Sequence, residues 1–299
     1  PTPNPETDSA FDENYKLAAQ CRPDLILATD PDSDRIAAAI PVGGGFRKLS
    51  GNEMGCLLLD YILRNLRKNG TLPEKPVAVK SIVSTPLAER IAAALGCEMR
   101  TVLTGFKYIG GVILELEEQG CPERFVLGFE ESCGYLKGDY ARDKDAVVTA
   151  MLIAEMAASY KLEGRTLGDV MDGLYDEYGH FATGLQNVQF TSDAQKEHCM
   201  ALMEALRRQP PEAVAGFPVT AVTDFRAGVE TVRESGAQRP TGLPQENMVM
   251  LTLGEQGRVI LRPSGTEPKI KFYYTARADS MPRAEEMVRE MTAAMTAML

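Results

Sequence analysis

The chain has 299 residues, a formal net charge of −10 and 44% hydrophobic residues, enough apolar material for about two domains with separate cores. The acidic balance argues against nucleic acid and anionic membranes as main partners, because both attract basic surfaces. No apolar run approaches the roughly 20 residues needed to cross a bilayer. With six cysteines and no CxxC pair, we expect reduced thiols in a cytoplasmic protein.

The first segment contains a helical pattern followed by a short apolar strand, a polar loop and a second strand. The helix is predicted at 11–20, the first strand at 24–28 and the second strand at 35–41. Ser50 is expected to cap the next helix, whose apolar positions recur at helical spacing until Asn69.

An acidic loop, Thr29-Asp30-Pro31-Asp32-Ser33-Asp34-Arg35, follows the first strand. Two carboxylates roughly 4 Å apart repel by about 4 kcal/mol at an effective dielectric near 20, so three crowded ones favour a divalent ion. Mg²⁺ suits the loop because it takes a few carboxylates and keeps positions for water or phosphate oxygen. A solvated acidic turn and a haloacid-dehalogenase-type Asp nucleophile remain open. An EF-hand fits poorly, since Arg35 stands where a glycine is needed.

The middle of the chain alternates strands and helices. We predict strands at 77–83, 98–103 and 125–129, with helices at 87–95, 108–119, 144–160 and 167–179. This rhythm indicates a mainly parallel sheet covered by helices, with ligands outside the carboxyl ends of the strands.

A polar segment, Glu130-Glu131-Ser132-Cys133-Gly134-Tyr135, follows the last of these strands. Glu130 and Ser132, two positions apart, can bind neighbouring sugar hydroxyls, because a carboxylate accepts hydrogen bonds and a hydroxyl both donates and accepts. Taken alone, the segment fits an ordinary acidic strand end better than a sugar site.

After residue 185 the pattern changes to an α+β unit with more turns. Strands are predicted at 188–190, 219–224 and 248–253 and helices at 193–208 and 283–298, whereas 228–245, rich in Gly, Pro and polar residues, is predicted to be a mobile loop.

A second charged loop lies between predicted strands at 259–261 and 270–274. Arg262 and Lys269 supply positive charge, Ser264 and Thr266 supply hydroxyls, and Gly265 lets backbone N–H groups approach an anion. The loop therefore has the parts of a phosphate cradle, and a simple hairpin turn is the alternative.

The segments ATDPDSDR, GFEESCGY and RPSGTEPKIKFY occur in the order and approximate spacing of the α-D-phosphohexomutase family, which the chain closely resembles. PTPNPE, SGNEMGCLLLDYIL, LTGFKYIGG, YARDKDAVVTAMLIAEM and LYDEYGHF extend the likeness over nearly the whole chain. The resemblance implies an α/β fold with mixed, mainly parallel sheets covered by helices and a C-terminal α+β domain. The implied domains are 1–47, 48–185 and 186–299.

Members of this family move a phosphoryl group between O1 and O6 of a hexose through a bisphosphorylated sugar and a phosphoserine. The resemblance implies Mg²⁺ as cofactor and glucose 1,6-bisphosphate as intermediate or activator. The implied site residues are Asp30, Asp32 and Asp34 for the metal, with Arg35 beside it; Lys144 as general acid/base; Thr104, Gly105, Glu130 and Ser132 for the sugar; and Arg262, Ser264, Gly265, Thr266 and Lys269 for the non-reacting phosphate. Lys144 would need a pKa lowered by neighbouring cations, and Lys80 and Lys107 are further candidates for phosphate contact.

The chain departs from the family pattern in one respect: the serine loop of the form T-A-S-H-N-P does not occur in these residues. We therefore expect a piece of a longer mutase whose missing N-terminal domain carries the serine and is a partner of this chain. A non-catalytic phosphosugar-binding module is the alternative. A further alternative is a mutase that acts on mannose, glucosamine or pentose phosphates.

Overall fold

A computed structural model describes residues 3–265 and 267–299. Contacts divide the chain into two compact units, the first ending at Tyr178 and the second beginning at Gly179. Each unit is described by itself. Within the described residues, no helix is both long enough and apolar enough to cross a membrane.

The first unit contains two sheets and the helices that cover them. Its strands are β1 (Ile26–Thr29), β2 (Ile36–Val42), β3 (Gly45–Lys48), β4 (Val77–Ser81), β5 (Glu98–Val102), β6 (Phe125–Glu130) and β7 (Gly134–Leu136). Its helices are α1 (Asp12–Cys21), α2 (Gly51–Lys68), α3 (Leu87–Ala94), α4 (Phe106–Glu118), α5 (Ala146–Leu162) and α6 (Leu167–Tyr178).

Strands β1, β2 and β3 form an antiparallel sheet in that order. The first half of β2 is an unbroken apolar run that is buried throughout, the pattern of a strand covered on both faces. Thr29 pairs with Ile36 at the end of the β1–β2 hairpin. The acidic loop between them is therefore held at both ends by the β1–β2 ladder, which is buried on its β2 side.

The second sheet has the order β5-β4-β6-β7. The predicted parallel arrangement is confirmed for β4, β5 and β6, whereas β7 runs antiparallel to β6. Because parallel strands bring their carboxyl ends to one edge, Ser81, Val102 and Glu130 end at the same side of the sheet. The loops that follow them can form a common site there.

Helix α5 begins at a well-formed cap and is apolar on nearly every side. The Asp145 side chain accepts hydrogen bonds from the N–H groups of Val147 and Val148, which satisfies donors left over at the first turn. Ile153 and Met156 are buried in the unit. Val147, Met151 and Leu162 are instead exposed, so part of the apolar surface of α5 remains uncovered.

The second unit is built around an antiparallel sheet of order β13-β12-β11-β14-β15-β16-β8. Its strands are β8 (His180–Gln189), β9 (Ala213–Val214), β10 (Phe217–Pro218), β11 (Ala221–Asp224), β12 (Val229–Val232), β13 (Gln238–Pro240), β14 (Val249–Thr252), β15 (Gly257–Pro263) and β16 (Lys269–Ala278), and its helices are α7 (Asp193–Arg208) and α8 (Met281–Thr296). Cys199, Met203 and Leu206 of α7 and Met287, Met291 and Met295 of α8 join the sheet in one core.

One prediction in this unit is wrong, and another covers only part of the observed strand. The segment 228–245 is not simply a loop, because β12 pairs with β11 and with β13 in regular antiparallel registers. The strand predicted at 188–190 is only the end of β8, which pairs with β16 over its whole length. Polar residues in β12 and Gly and polar residues in β8 weaken the strand signal in the sequence. Strand formation here depends on pairing within the sheet more than on the intrinsic preference of these residues.

Candidate functional site

The acidic loop brings three carboxylates together. Asp30, Asp32 and Asp34 each offer an oxygen within 4.8 Å of the others. Asp30 is buried, and its Oδ1 accepts the backbone N–H groups of Asp34 at 3.2 Å and Arg35 at 3.0 Å. This spacing of hard oxygen donors fits a small divalent cation such as Mg²⁺.

Arg35 holds the loop to the start of the chain. Its Nε donates to Asp30 Oδ2 at 2.8 Å and its Nη1 to Glu6 Oε1 at 2.6 Å. Burial alone would raise the pKa of Asp30, but the hydrogen bonds from Arg35 outweigh it and lower that pKa. Burial and the nearby Asp30 raise the pKa of Asp34 despite an ion pair with Lys144. The negative charges of Asp30 and Asp34 therefore repel each other, which is expected of a site that binds a cation.

Lys144 lies between the acidic loop and the segment after β6. Its Nζ is 2.9 Å from Asp34 Oδ2 and 2.8 Å from Asp143 Oδ1. Partial burial would lower its pKa, but these hydrogen bonds raise it on balance. The expected cationic neighbours are thus replaced by carboxylates, and the predicted lowering of the Lys144 pKa is wrong for this conformation.

The stem of Lys144 occupies space that only a glycine leaves free. A Cβ placed on Gly134 would come within 2.3 Å of Lys144 Cδ, a distance that Cβ contacts essentially never show. The ammonium also lies 5.4 Å from the centroid of the Phe106 ring, within the range of a cation–π contact. The side chain is therefore guided past β7 towards Asp34.

Glu130 ends β6 with its carboxylate nearly buried. Its Oε1 accepts the Gly105 N–H at 2.6 Å. Burial, assisted by the charge of Glu131, raises the pKa of Glu130 to about 7. Near neutral pH this carboxyl can donate or accept a hydrogen bond, which is useful against a sugar hydroxyl.

Thr104 precedes Gly105, whose N–H binds Glu130, and Ser132 lies two positions after Glu130. Thr104 Oγ1 is buried and has no hydrogen-bond partner among the described residues, although buried hydroxyls normally find one. Ser132 is half-buried in the turn after β6. These groups, with Gly105, make a polar site at the carboxyl edge of the sheet.

Backbone contacts join the acidic loop to this polar site. The Ile36 N–H donates to Cys133 O at 3.0 Å, and Arg35 forms an antiparallel bridge with Gly134. The Ala146 N–H at the start of α5 donates to Ser33 O at 3.0 Å. Asp34, Lys144 and the Glu130–Gly134 segment therefore belong to one connected site in the first unit.

The second charged loop closes the β15–β16 hairpin in the second unit. Ser264 N–H donates to Lys269 O at 2.9 Å, and Ser264 Oγ accepts the Glu267 N–H at 3.2 Å. Arg262 Nε donates to Glu246 Oε1 at 2.5 Å, while Lys269 Nζ lies 2.6 Å from Glu267 Oε2. Both predicted phosphate-binding cations are thus paired with carboxylates.

Ser264 and Gly265 also line a groove of about 610 Å³ that extends to Lys196 of α7, so the loop borders a space large enough for a phosphate group. Thr266 lies outside the described residues.

Two family models match the chain. Phosphoglucomutase/phosphomannomutase alpha/beta/alpha domain III matches residues 50–178, and the C-terminal domain of the same family matches residues 212–294. The chain belongs to the phosphoglucomutase/phosphomannomutase family. The segments GFEESCGY and RPSGTEPKIKFY both fall within these matches.

Relatives agree with the family. A phosphoglucomutase of Staphylococcus haemolyticus is 35% identical over 284 residues, covering 95% of this chain and 50% of the relative. A Haemophilus influenzae protein named "Probable phosphomannomutase" is 35% identical over 291 residues, which cover 96% of this chain and 53% of that protein. The chain therefore spans about half the length of the curated relatives it matches.

The fold is also that of the family. The open form of the Paramecium phosphoglucomutase pp63/parafusin aligns with a TM-score of 0.67 at 15% identity, covering 97% of this chain and 49% of the other.

The sequence analysis did not single out one further cation beside the charged loop. Lys271 stands directly opposite Arg262 in the β15–β16 register, where like charges repel unless an anion offsets them, as the Glu246 carboxylate does for Arg262. The alternation of Lys269 and Lys271 in the strand could have signalled it. Lys80 is fully buried and out of reach of a phosphate in this structure, and Lys107 lies over the Tyr108 ring.

Proposed function

We propose that the full protein is a phosphohexomutase that interconverts hexose 1-phosphate and hexose 6-phosphate through a bisphosphorylated sugar. The observation that carries the proposal is the connection of the acidic loop to the Glu130 segment through Lys144 and the Ile36–Cys133 hydrogen bond. A metal site beside a polar sugar site is the arrangement that phosphoryl transfer requires.

Asp30, Asp32 and Asp34 would hold Mg²⁺, the cofactor that their hard oxygens suit. Bound there, the ion would offset negative charge on a transferring phosphoryl group. Arg35 keeps Asp30 charged and aimed into the loop by its two hydrogen bonds to that residue. Lys144, at the junction with the sugar site, would act as the general acid/base once its contacts with Asp34 and Asp143 are rearranged.

Glu130 and Ser132 would bind a pair of sugar hydroxyls, with Thr104 Oγ1 and Gly105 shaping the same site. The charged loop with Arg262, Ser264, Gly265 and Lys269, joined by Lys271, would bind the phosphate that does not react. Such a clamp must hold the substrate in either orientation, so it has to recognise features that look alike after the sugar turns around. We extend the same role to Thr266 on the family resemblance alone.

Binding of glucose 1-phosphate to the chain tests this assignment. Arg262→Ala is expected to weaken binding by about 1.5–3 kcal/mol, because it removes a charge-assisted hydrogen bond to phosphate. Titration calorimetry measures the affinity, and amide signals of Ser264 and Gly265 report the location. Arg239→Ala, at an exposed position in the same unit, is the matched control.

Glucose without phosphate should scarcely compete in that titration. Equal affinity for glucose and glucose 1-phosphate, or no loss in Arg262→Ala, would contradict the phosphate assignment. Replacing glucose 1-phosphate by mannose or glucosamine phosphates in the same titration ranks the substrates.

Metal binding gives a second expected result. Millimolar Mg²⁺ or Mn²⁺ should raise the melting temperature of the chain, since a ligand at about 100 times its dissociation constant stabilises the folded state by about 2.7 kcal/mol. Asp32→Asn should remove most of this rise because it replaces one of the charged ligands. Asp139→Asn, at an exposed position, should keep it. Identical metal-induced shifts in both variants would argue against the acidic loop as the site.

A further inference from the structure

A third carboxylate, Glu131, stands between the two proposed sugar ligands and is not used by them. Its Oε2 accepts hydrogen bonds from Ser81 Oγ at 2.8 Å and Ser84 Oγ at 3.3 Å. We infer that Glu131 is a positioning residue, anchored to the end of β4, which sets Glu130 and Ser132 at the spacing that a pair of sugar hydroxyls requires. The inference rests on the proposed function and adds a determinant of its sugar site.

The anchor is reciprocal and buried. Ser84 Oγ also accepts the Glu131 backbone N–H at 3.1 Å, and it lies 2.8 Å from Ser81 Oγ. Both serines are fully buried. Hydrogen bonds to a charged group are stronger than neutral ones, and a buried polar group that loses its partner costs free energy. Glu131 is therefore fixed through both its side chain and its backbone.

Buried Lys80 lies close to the backbone carbonyl groups of Ser81 and Ser84. Lys80 Nζ lies 3.4 Å from Ser81 O and 3.3 Å from Ser84 O, and 3.0 Å from Glu89 Oε1. A buried ammonium is costly unless it is paired and hydrogen-bonded, so these contacts favour the tight turn after β4. The buried position of Lys80, which does not fit direct contact with phosphate, fits this supporting role.

The other side of the Glu131 segment is closed by the start of α2. A Cβ on Gly51 would lie 2.0 Å from Glu131 O and 2.9 Å from Cys133 N, so the backbones touch where only glycine fits. Asn52 Oδ1 accepts the Thr85 N–H at 2.9 Å, which ties α2 to the turn after β4. The Glu131 segment is thus enclosed between the start of α2 and the turn after β4.

The segment needs such restraint because its backbone is strained. Cys133 has a φ of +67°, a left-handed conformation that is unfavourable for a non-glycine residue. Glu130 is the last residue of β6, and Glu131 is the first residue of the turn that follows it. With Glu131 held by the serines, Glu130 is directed to the Gly105 N–H, and its 2.6 Å hydrogen bond reports that direction without any ligand.

The Gly105 amide proton signal of the chain is the test. Glu130→Ala defines the signal position for complete loss of this hydrogen bond. Glu131→Ala and the Ser81→Ala/Ser84→Ala double variant are expected to move the signal more than halfway to that position. Glu131→Gln, which keeps an oxygen for the two hydroxyls, should remain near wild type. Glu118→Ala, at an exposed position on α4, should leave the signal unchanged.

Affinity for glucose 1-phosphate is measured on the same proteins. Glu131→Ala should weaken it about tenfold, as expected for a disturbed buried hydrogen bond, and Glu131→Gln should restore most of it. A Gly105 signal that stays at its wild-type position in folded Glu131→Ala overturns the inference. If the signal moves as expected but wild type binds no glucose 1-phosphate, the proposed function fails and the Glu131 anchor stands.

Discussion

The 299-residue chain is expected to give no detectable mutase turnover of glucose 1-phosphate, even with glucose 1,6-bisphosphate present. The proposed reaction needs a serine that carries the phosphoryl group, and the T-A-S-H-N-P loop is absent from these residues. Ser81 and Ser84 are buried against Glu131, and Ser264 caps its own turn. Enzymes accelerate such reactions by at least about 10⁶-fold, so loss of the donor should remove the whole signal.

A coupled assay for glucose 6-phosphate formation measures this result. A protein extended upstream by the segment that carries the serine loop should gain activity together with acid-stable serine phosphate. The extended protein with that serine changed to alanine is the matched control and should be inactive. Turnover by residues 1–299 alone would contradict the mechanism, because it would require a different phosphoryl donor.

In such an extended, active protein, Lys144→Ala is expected to lower kcat by about 10²–10⁴-fold, the usual effect of losing a general acid/base. The Michaelis constant for glucose 1-phosphate should change much less, since Glu130, Ser132 and the Arg262 loop remain. Steady-state kinetics separates the two effects. The Lys144 ammonium pairs with Asp34, so Mn²⁺ affinity is measured in parallel to detect indirect damage to the metal site.

Lys144→Arg distinguishes charge from proton transfer. The arginine keeps a positive charge near Asp34 but does not release its proton in proteins, so it should remain as impaired as Lys144→Ala. Lys161→Ala is the control, because the Lys161–Asp24 ion pair is exposed on both sides and such pairs contribute little. A Lys144→Ala enzyme with unchanged kcat would remove the acid/base assignment.

Much of the first unit could be predicted because its signals are local. The β-α-β rhythm gave β4, β5 and β6 with the loops at their carboxyl ends, and the Ser50 cap of α2 was correctly placed, with a capping box completed by Glu53. The acidic spacing of Asp30, Asp32 and Asp34 likewise predicted three oxygens close together, and they lie within 4.8 Å of one another. Patterns of this kind are decided within a few residues.

What could not be predicted depends on contacts between distant residues. β12 was missed because its partner β11 lies outside its own segment. Only the end of β8 was predicted, because the polar residues in the rest of it form a strand only when paired with β16. The prediction of cationic neighbours for Lys144 was also wrong, because its partner Asp34 is 110 positions away in the sequence. The anchoring of Glu131 by Ser81 and Ser84 depends in the same way on the arrangement of two parallel strands, which no single motif contains.

The contact between Gly134 and Lys144 restricts how the two positions can vary during evolution. A side chain at position 134 would occupy the place of the Lys144 stem, so any other residue there displaces the lysine from Asp34. A relative with a short residue at position 144 would have room for alanine or serine at position 134. The two positions should therefore covary, although they lie ten positions apart in the sequence. In a lineage in which the lysine is replaced, glycine should no longer be required at position 134.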